Sequence, residues 1–338
     1  MADPQAPPLP RKPGRSFARG VFLLALPPLA VALLPLWADE HWTFDLASHF
    51  ALPCMAALLG AAALMLLCLR VRTALLLVAA ASLPGYALAP LYLPSATGEL
   101  RADTPILRVA IANAYVGNST PQRLRAWIDQ EDPDAFAVLE YTAEHQRTLA
   151  PLHARYPHRM EAVEESPFGI ALFSKLPLLE QQTTSIGAPF SKALFAVVEW
   201  NGARVGLMAA HPPPPISQDY ARMRDQGLAQ LATEAARMPP DRILLADCNA
   251  TRWSRPLRET MAAAGMRDSA EGFGFQGSWP ARLPWPLRIP IDHVLVSGEL
   301  VVTRRELGPD VGSDHLPVVA EIAIAGGHAD VVHPPGRR

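Results

Sequence analysis

Arg242-Ile243-Leu244-Leu245-Ala246-Asp247-Cys248-Asn249 is an apolar run of strand length that stops on an acid, a thiol and an amide. A run this short reads as a buried strand, because a helix usually needs roughly ten or more residues to hide one face. The stretch before it, 217–237, has the length and mixed composition of a helix. Helix, apolar strand, polar terminator is therefore the local grammar, and the rest of the chain can be read outward from it.

Upstream, residues 107–112 predict a strand leading to Asn113. A helix near 121–130 follows, with Thr120 as N-cap and Pro121 at the first helical position. A strand at 135–139 ends at Glu140. Residues 168–173 and 178–180 predict further strands, and 193–200 with 203–209 predict a hairpin around Asn201-Gly202, a pair suited to the positive-φ turn that joins adjacent strands. The hairpin's second strand runs into His211. Beyond Asn249 come a strand over 291–296, a partner near 301–307, the tetrapeptide Gly312-Ser313-Asp314-His315, and a last strand over 318–324. Short strands alternating with helical stretches specify an α/β domain over 106–325. Residues 94–105 read as a linker and 326–338 as a flexible tail.

The first hundred residues follow a different rule. Apolar runs at 20–37, 50–69 and 73–93 each approach the ~20 residues needed to cross the hydrocarbon core of a bilayer, and predict three transmembrane helices within 20–93. A cleavable signal peptide would explain the first run alone, but no convincing cleavage site follows Trp37 and two more runs come after it. A buried soluble helical domain is the weaker alternative. Prolines 27, 28, 35, 53, 84 and 90 are tolerable in a bundle whose neighbours satisfy the freed backbone groups.

Arg11, Lys12, Arg15 and Arg19 precede the first run, the next loop carries Asp39, Glu40 and Asp45 without Arg or Lys, and Arg70 and Arg72 sit between the second and third. Basic flanks tend to stay cytoplasmic. Residues 1–19 are accordingly expected to be a cytoplasmic tail and the α/β domain to lie on the extracytoplasmic side of an inner or plasma membrane, which is the periplasm in a two-membrane bacterium.

Only six of the 30 basic and five of the 32 acidic residues fall in 1–100, so the α/β domain is slightly acidic. That composition excludes a uniformly basic nucleic-acid-coating surface. Arg222, Arg224, Arg252, Arg255 and Arg258 read as a solvated helix face rather than a gathered patch. Cys54 and Cys68 lie in apolar runs and Cys248 stands alone, so the domain has no disulfide framework. Cys248 reads as a buried strand-end residue before a reactive thiol.

Polar residues of metal-binding and acid-base type repeatedly end or interrupt the strands: Asn113, Glu140, His211, Asp247, Asn249, Asp292, Asp314 and His315. Each alone is an ordinary turn or capping residue. Strands placed side by side bring their ends to one edge, and together these residues would converge there. His293, by strand alternation, should face away from Asp292 and serve structure or the outer surroundings of the site.

The ordered blocks resemble the endonuclease/exonuclease/phosphatase superfamily over about 106–324, and the apolar runs ahead of them resemble its membrane-anchored bacterial branch. The blocks are Leu107-Arg108-Val109-Ala110-Ile111-Ala112-Asn113; Asp132-Pro133-Asp134 through Val138-Leu139-Glu140; Gly169-Ile170-Ala171-Leu172-Phe173-Ser174-Lys175; His211; Leu244-Leu245-Ala246-Asp247-Cys248-Asn249-Ala250; Ile291-Asp292-His293-Val294-Leu295; and Gly312-Ser313-Asp314-His315-Leu316-Pro317. The resemblance implies a four-layer α/β sandwich of two mixed β-sheets flanked by helices. It implies a phosphoester hydrolase, with Glu140 as principal metal ligand beside Asn113 and Asp314, and Mg²⁺ as the metal with Mn²⁺ or Ca²⁺ as alternatives. Asp247 would orient or deprotonate the attacking water, Asn249 would hold that water or a phosphate oxygen, and His315 would contact the phosphate with its tautomer set by Asp292. His211 matches a histidine that contacts phosphate or protonates the leaving group. In DNase I-like members a glutamate supports that histidine, and here Pro167-Phe168-Gly169 supplies none.

Substrate is less specified than chemistry, because loops decide it. A phosphodiesterase of nuclease type ranks first and a phospholipid phosphohydrolase second. For the lipid reading, Pro212-Pro213-Pro214-Pro215 and the 278–286 segment with Trp279 and Trp285 would form an interfacial rim; rigid packing is the plainer account of both. A non-catalytic membrane-anchored binding domain is the remaining class, disfavoured by the full set of strand-end residues. Expected partners are the phosphoester substrate, nucleic acid or phospholipid, and the lipid bilayer. Nothing in the sequence calls for an obligate protein partner.

Overall fold

The computed structural model describes residues 14–94 and 104–324. The expectations for Arg11 and Lys12, most of the linker and the 326–338 tail lie outside the described residues. The chain divides into two compact units, Met1–Leu88 and Ala89–Arg338.

The first unit is helical: α1 (Gly14–Leu33), α2 (Trp42–Leu46), α3 (Ala51–Leu67) and α4 (Val71–Leu88). Among the described residues three stretches are long and apolar enough to cross a membrane: Arg15–Trp37, Trp42–Leu67 and Val71–Leu91. Small and mid-sized residues pack between the helices, including Ala18, Ala25, Leu58, Ala62, Ala74 and Ala81. Large apolar ones point outward; Leu24 is 79%, Leu67 80% and Leu76 71% exposed, a pattern suited to lipid rather than water. Pro27 and Pro28 lie inside α1 and Pro84 inside α4. The sequence places an acidic loop before the second span, and the structure corrects this: His41 caps a helical turn by accepting from the Thr43 amide, and Asp45 is buried in α2.

The second unit holds β1 (Leu107–Asn113), α5 (Pro121–Glu131), β2 (Ala135–Leu139), α6 (Ala143–Leu149), β3 (His158–Ala162), β4 (Ile170–Ser174), β5 (Leu179–Ser185), β6 (Lys192–Trp200), β7 (Ala203–Ala210), α7 (Gln218–Ala235), β8 (Arg242–Asp247), α8 (Arg255–Ala264), β9 (Met266–Asp268), β10 (Asp292–Ser297), β11 (Leu300–Leu307) and β12 (Val318–Ile324). One sheet runs β11-β12-β1-β2-β4-β3 and the other β5-β6-β7-β8-β10-β9. Each is mixed, with one parallel pair, β1 with β2 and β7 with β8, among antiparallel ones. This is the four-layer α/β sandwich.

Strand alternation builds the layers. Val109, Ile111, Ala137, Leu139, Leu172, Leu207, Leu245 and Val294 fill the interior between the sheets. Ala110, Phe136, Val138 and Phe173 face α5, where Leu124, Trp127 and Ile128 meet them. Phe195, Met208, Leu244 and Leu295 face α7 and α8. Burial on both faces is why these strands read as continuous apolar runs. Truncating one central side chain, as in Leu245→Ala, should cost about 2–5 kcal/mol.

The hairpin turns on Asn201 and Gly202, both at positive φ. Two local expectations shift. Residues 168 and 169 precede β4, and at Gly169 a Cβ would lie 2.2 Å from the Tyr141 carbonyl oxygen. Thr120 stands at the N-cap of α5 but makes no capping bond; its hydroxyl turns to Asn118 Oδ1 at 3.4 Å.

Candidate active site

At one end of the sandwich the interior apolar faces are continued by polar side chains. Asn113 continues Val109 and Ile111, Asp247 continues Ile243 and Leu245, Asp292 precedes Val294 and Val296, and His211 follows Leu207 and Ala209. All four are buried, at 5% exposure or less. Antiparallel register sets Asp292 directly across from Asp247. Asn113 Nδ2 then donates across the sheets to Asp247 Oδ2 at 3.1 Å. His293 alternates to the opposite face, where its ring nitrogens meet Asp268 Oδ2 at 3.1 Å and the Ala250 carbonyl at 2.9 Å.

Glu140 breaks the alternation. Following Leu139, it would point toward the helices if the chain stayed extended, but its φ of 56° lies in the left-handed region and redirects it. Its Oε1 accepts from Asn113 Nδ2 at 3.1 Å and its Oε2 from the Val116 amide at 2.8 Å. Asn249, with φ 47°, makes a second such turn. Its amide donates to Asp247 Oδ1 at 2.9 Å, and its Nδ2 to the Pro212 carbonyl at 3.0 Å.

The last segment is carried in by the β11–β12 loop. Gly312 has φ 86°, and a Cβ there would lie 2.1 Å from Thr120 Oγ1. Ser313 Oγ donates to the Asn113 carbonyl at 2.8 Å and accepts from the His315 amide at 3.0 Å, fixing the loop on the end of β1. His315 Nδ1 lies 2.8 Å from Asp292 Oδ2, and its Nε2 lies 3.8 Å from Asp247 Oδ2. His211 Nε2 approaches the same Asp247 oxygen at 3.4 Å, and its Nδ1 meets the Pro167 carbonyl at 3.0 Å.

Proton bookkeeping follows from these partners. A carbonyl and a carboxylate both only accept, so the two groups facing His211 favour its charged form, with a proton on each ring nitrogen. Burial opposes that charge, but Asp247 and then Glu140 raise the His211 pKa. Burial likewise opposes charge on His315, yet Asp292, Asp247 and Asp314 push it up to about 10. Burial works against ionisation of Asp247, and the two histidines overcome it and hold the carboxyl well below the usual range. Burial with the neighbouring acids pushes the Cys248 thiol up, in keeping with its place as a buried strand-end residue.

Among the described residues, one group of three, Asp247, Asp292 and His315, has ligand atoms within 4.8 Å of one another. Within this group His315 Nδ1 and Asp292 Oδ2 are hydrogen-bonded, whereas His315 Nε2 stands 3.8 Å from Asp247 Oδ2. The hard oxygen donors expected to hold a divalent ion, Glu140, Asn113 and Asp314, are a different set, and Glu140 and Asp314 lie outside that group. Glu140 and Asn113 are already joined, and Asp314 Oδ1 is buried without a hydrogen-bond partner, as is Asp292 Oδ1. Unsatisfied buried carboxylate oxygens are costly unless a cation or donor meets them. Asp314 Oδ2 accepts from Trp279 Nε1 at 3.1 Å, and Asp314 lies outside the three-residue group.

Sequence reasoning passes over several supports. Arg224 is fully buried, donating from Nη1 to the Asn249 carbonyl at 3.3 Å, which corrects its reading as part of a solvated helix face. It sits on the buried side of α7, whereas Arg222 and Arg258 are exposed. Ser313 was legible only as part of a tetrapeptide. The Pro167 carbonyl and the Val116 amide are main-chain groups and leave no sequence signal.

A model of the Endonuclease/Exonuclease/phosphatase family matches residues 110–315, more than half of the chain. No curated protein matches the sequence. Among solved structures, an endonuclease/exonuclease/phosphatase from Beutenbergia cavernae DSM 12333 is 19% identical with a TM-score of 0.53, covering 66% of this chain and 72% of that one. D. rerio TDP2 complexed with single strand DNA product is 16% identical with a TM-score of 0.54, covering 64% and 98%. A family protein from Bacteroides thetaiotaomicron is 15% identical with a TM-score of 0.53, covering 66% and 99%. At these identities the likeness speaks to fold alone.

Proposed function

The chain belongs to the endonuclease/exonuclease/phosphatase family, and on that footing we propose that it is a membrane-anchored, divalent-metal-dependent phosphoester hydrolase acting by attack of water on phosphorus. The observation that carries this reading is the chain of contacts Asp292–His315–Asp247–His211 beside the Glu140–Asn113 pair, all on the interior edge of the sandwich.

Glu140, Asn113 and Asp314 would hold the metal, with Mg²⁺ the first choice for hard oxygen donors and Mn²⁺ or Ca²⁺ the alternatives. When bound, such an ion would supply charge screening for the phosphate and for the departing oxygen. Asp247 accepts a hydrogen bond from the attacking water and aims it; a carboxyl held this acidic is a better orienter than base. Asn249 holds the Asp247 turn and presents its side-chain oxygen to that water. His315 Nε2 is too far from Asp247 for a hydrogen bond, so its N–H is free for a phosphate oxygen. Asp292 keeps that imidazole charged and oriented. His211, anchored by the Pro167 carbonyl, carries an Nε2 proton to deliver to the leaving oxygen.

Three apolar helices support the anchor, and the basic flanks of the first support an extracytoplasmic, periplasmic domain in an inner membrane. The nuclease-type reading predicts a phosphodiester backbone as substrate. The phospholipid reading is favoured by one observation: the 279–287 loop beside Asp314 carries exposed apolar side chains. Pro212 and Pro213 are buried and pack, while Pro214 and Pro215 are half-buried.

The test is hydrolysis of bis(p-nitrophenyl) phosphate by the full chain with Mg²⁺ and with chelator, beside Asp247→Ala and His315→Ala. Metal-dependent turnover lost in both variants supports the reading. Equal rates in all four arms would leave the non-catalytic binding domain as the better account. A panel of DNA, RNA, sphingomyelin and phosphoinositides then separates the substrates.

A further inference from the structure

Trp279-Pro280-Ala281-Arg282-Leu283-Pro284-Trp285-Pro286-Leu287 carries a cluster of exposed apolar side chains at the mouth of the site. Trp279 and Leu283 are 36% exposed, Trp285 and Leu287 50%. The backbone of the loop is tied within itself. The Leu283 amide donates to Pro280, the Leu287 amide to Pro284, and Arg288 Nε to the Leu283 carbonyl. Three prolines contribute no N–H. With these peptide groups paired and three positions lacking an N–H, the loop has fewer polar groups to strip of water on entering an apolar interface.

Charge and connectivity name what covers the loop. Between 279 and 290 the only charged residues are Arg282 and Arg288, in a domain that is otherwise slightly acidic. Trp285 Nε1 donates to the Phe275 carbonyl at 3.1 Å. Just before Phe275, the Gly272 and Gly274 amides donate to the carbonyls of Pro90 and Leu91, at 3.2 and 2.7 Å. Pro90 and Leu91 are the closing residues of the third apolar span, Val71–Leu91. A chain leaving a bilayer at Leu91 therefore enters the domain within reach of this loop.

We propose that the 279–287 loop docks on the bilayer, with Leu283, Trp285 and Leu287 seated in the headgroup region and Arg282 and Arg288 drawn to anionic lipid. Indole rings favour that depth because one edge is polar and the body apolar. Docking reaches the site through Asp314, which accepts from Trp279 Nε1 by its carboxylate and from the Ala281 amide by its carbonyl. The inference rests on the membrane anchor in the proposed function and not on catalysis.

The test reconstitutes the full chain in vesicles of phosphatidylglycerol and dibrominated phosphatidylcholine, and takes the emission lost between wild type and Trp285→Phe as the signal of Trp285. The expected result is quenching of that signal by the brominated chains and protection from aqueous iodide. Leu287→Asp should reverse both. Exposure to iodide without bromine quenching overturns the proposal, and so does protection from both, which would mean a protein covers the loop. An unchanged signal in Leu287→Asp also overturns it. Failure of the chain to float with vesicles would instead remove the anchor, a separate outcome read before any fluorescence.

Discussion

His211 Nδ1 is held by the main-chain carbonyl of Pro167 at 3.0 Å, where the family resemblance implied a glutamate side chain. A carbonyl fixes the ring as firmly as a carboxylate would but adds no full charge, so the charge on His211 rests on Asp247 and Glu140 instead. His211→Ala is expected to lower kcat by about 10²–10⁴-fold. Pro167→Ala keeps the carbonyl and should leave kcat largely intact. A large kcat loss in Pro167→Ala would show that the proline ring, not the carbonyl, does the positioning.

Asp292 and His315 make a pH-dependent pair. The His315 pKa is pushed up to about 10, above its ordinary 6.5. The pairing therefore adds stability that is complete below the unfolded value and is lost as pH rises through about 10. Activity that needs the imidazolium should persist to the same alkaline range. In Asp292→Asn the alkaline limb of the kcat profile should move toward neutrality by roughly 1–3 units. An unmoved limb would mean that another group governs it.

Glu140 occupies a left-handed backbone position that costs a non-glycine residue roughly 1 kcal/mol or more and that glycine adopts freely. Glu140→Gly trades that strain against the bonds to Asn113 and Val116, so its unfolding free energy should stay within about 1 kcal/mol of wild type. Metal affinity, followed by Mg²⁺ titration of activity or by calorimetry, should fall by about 10²-fold or more. A fully active Glu140→Gly would remove Glu140 from the metal set.

Asp268 lies behind the site, buried against His293 at 3.1 Å. Burial opposes its ionisation, but His293, Arg305 and Arg252 hold the carboxyl well below the usual range. Its contribution is present above the ordinary aspartate pKa of about 3.9 and is lost as pH falls below it. Breaking one side of a buried pair costs about 3–5 kcal/mol, so Asp268→Asn should lower the unfolding midpoint strongly at neutral pH. The gap to wild type should narrow as the solution is acidified. A gap that is constant with pH would assign the loss to packing rather than charge.

Much of the architecture was legible because it is written locally. The run ending at Asp247, the strand Ala135–Leu139 before Glu140 and the hairpin on Asn201-Gly202 follow from apolar runs, their terminators and a turn dipeptide. The stretches that stayed hidden lack that contrast. β3, His-Arg-Met-Glu-Ala, is an edge strand with one buried side chain, α6 is short and polar, and α8 and β9 follow one another without an apolar run to mark them. The residue types of the candidate site were readable too, since strands end in polar residues for a reason that sequence order displays.

What only the tertiary structure decided is how those residues meet. Two sheets must stack before Asn113 can donate to Asp247, and a positive φ must turn Glu140 inward before it can join them. Arg224 becomes a support rather than a surface charge only once α7 packs against the turn at Asn249. The His211 partner is the clearest instance, because every residue owns a carbonyl and no side-chain code says which one a fold will bring to an imidazole. Periodicity along the chain specifies faces and ends; distance through space, set by packing and by a few backbone angles, specifies partners.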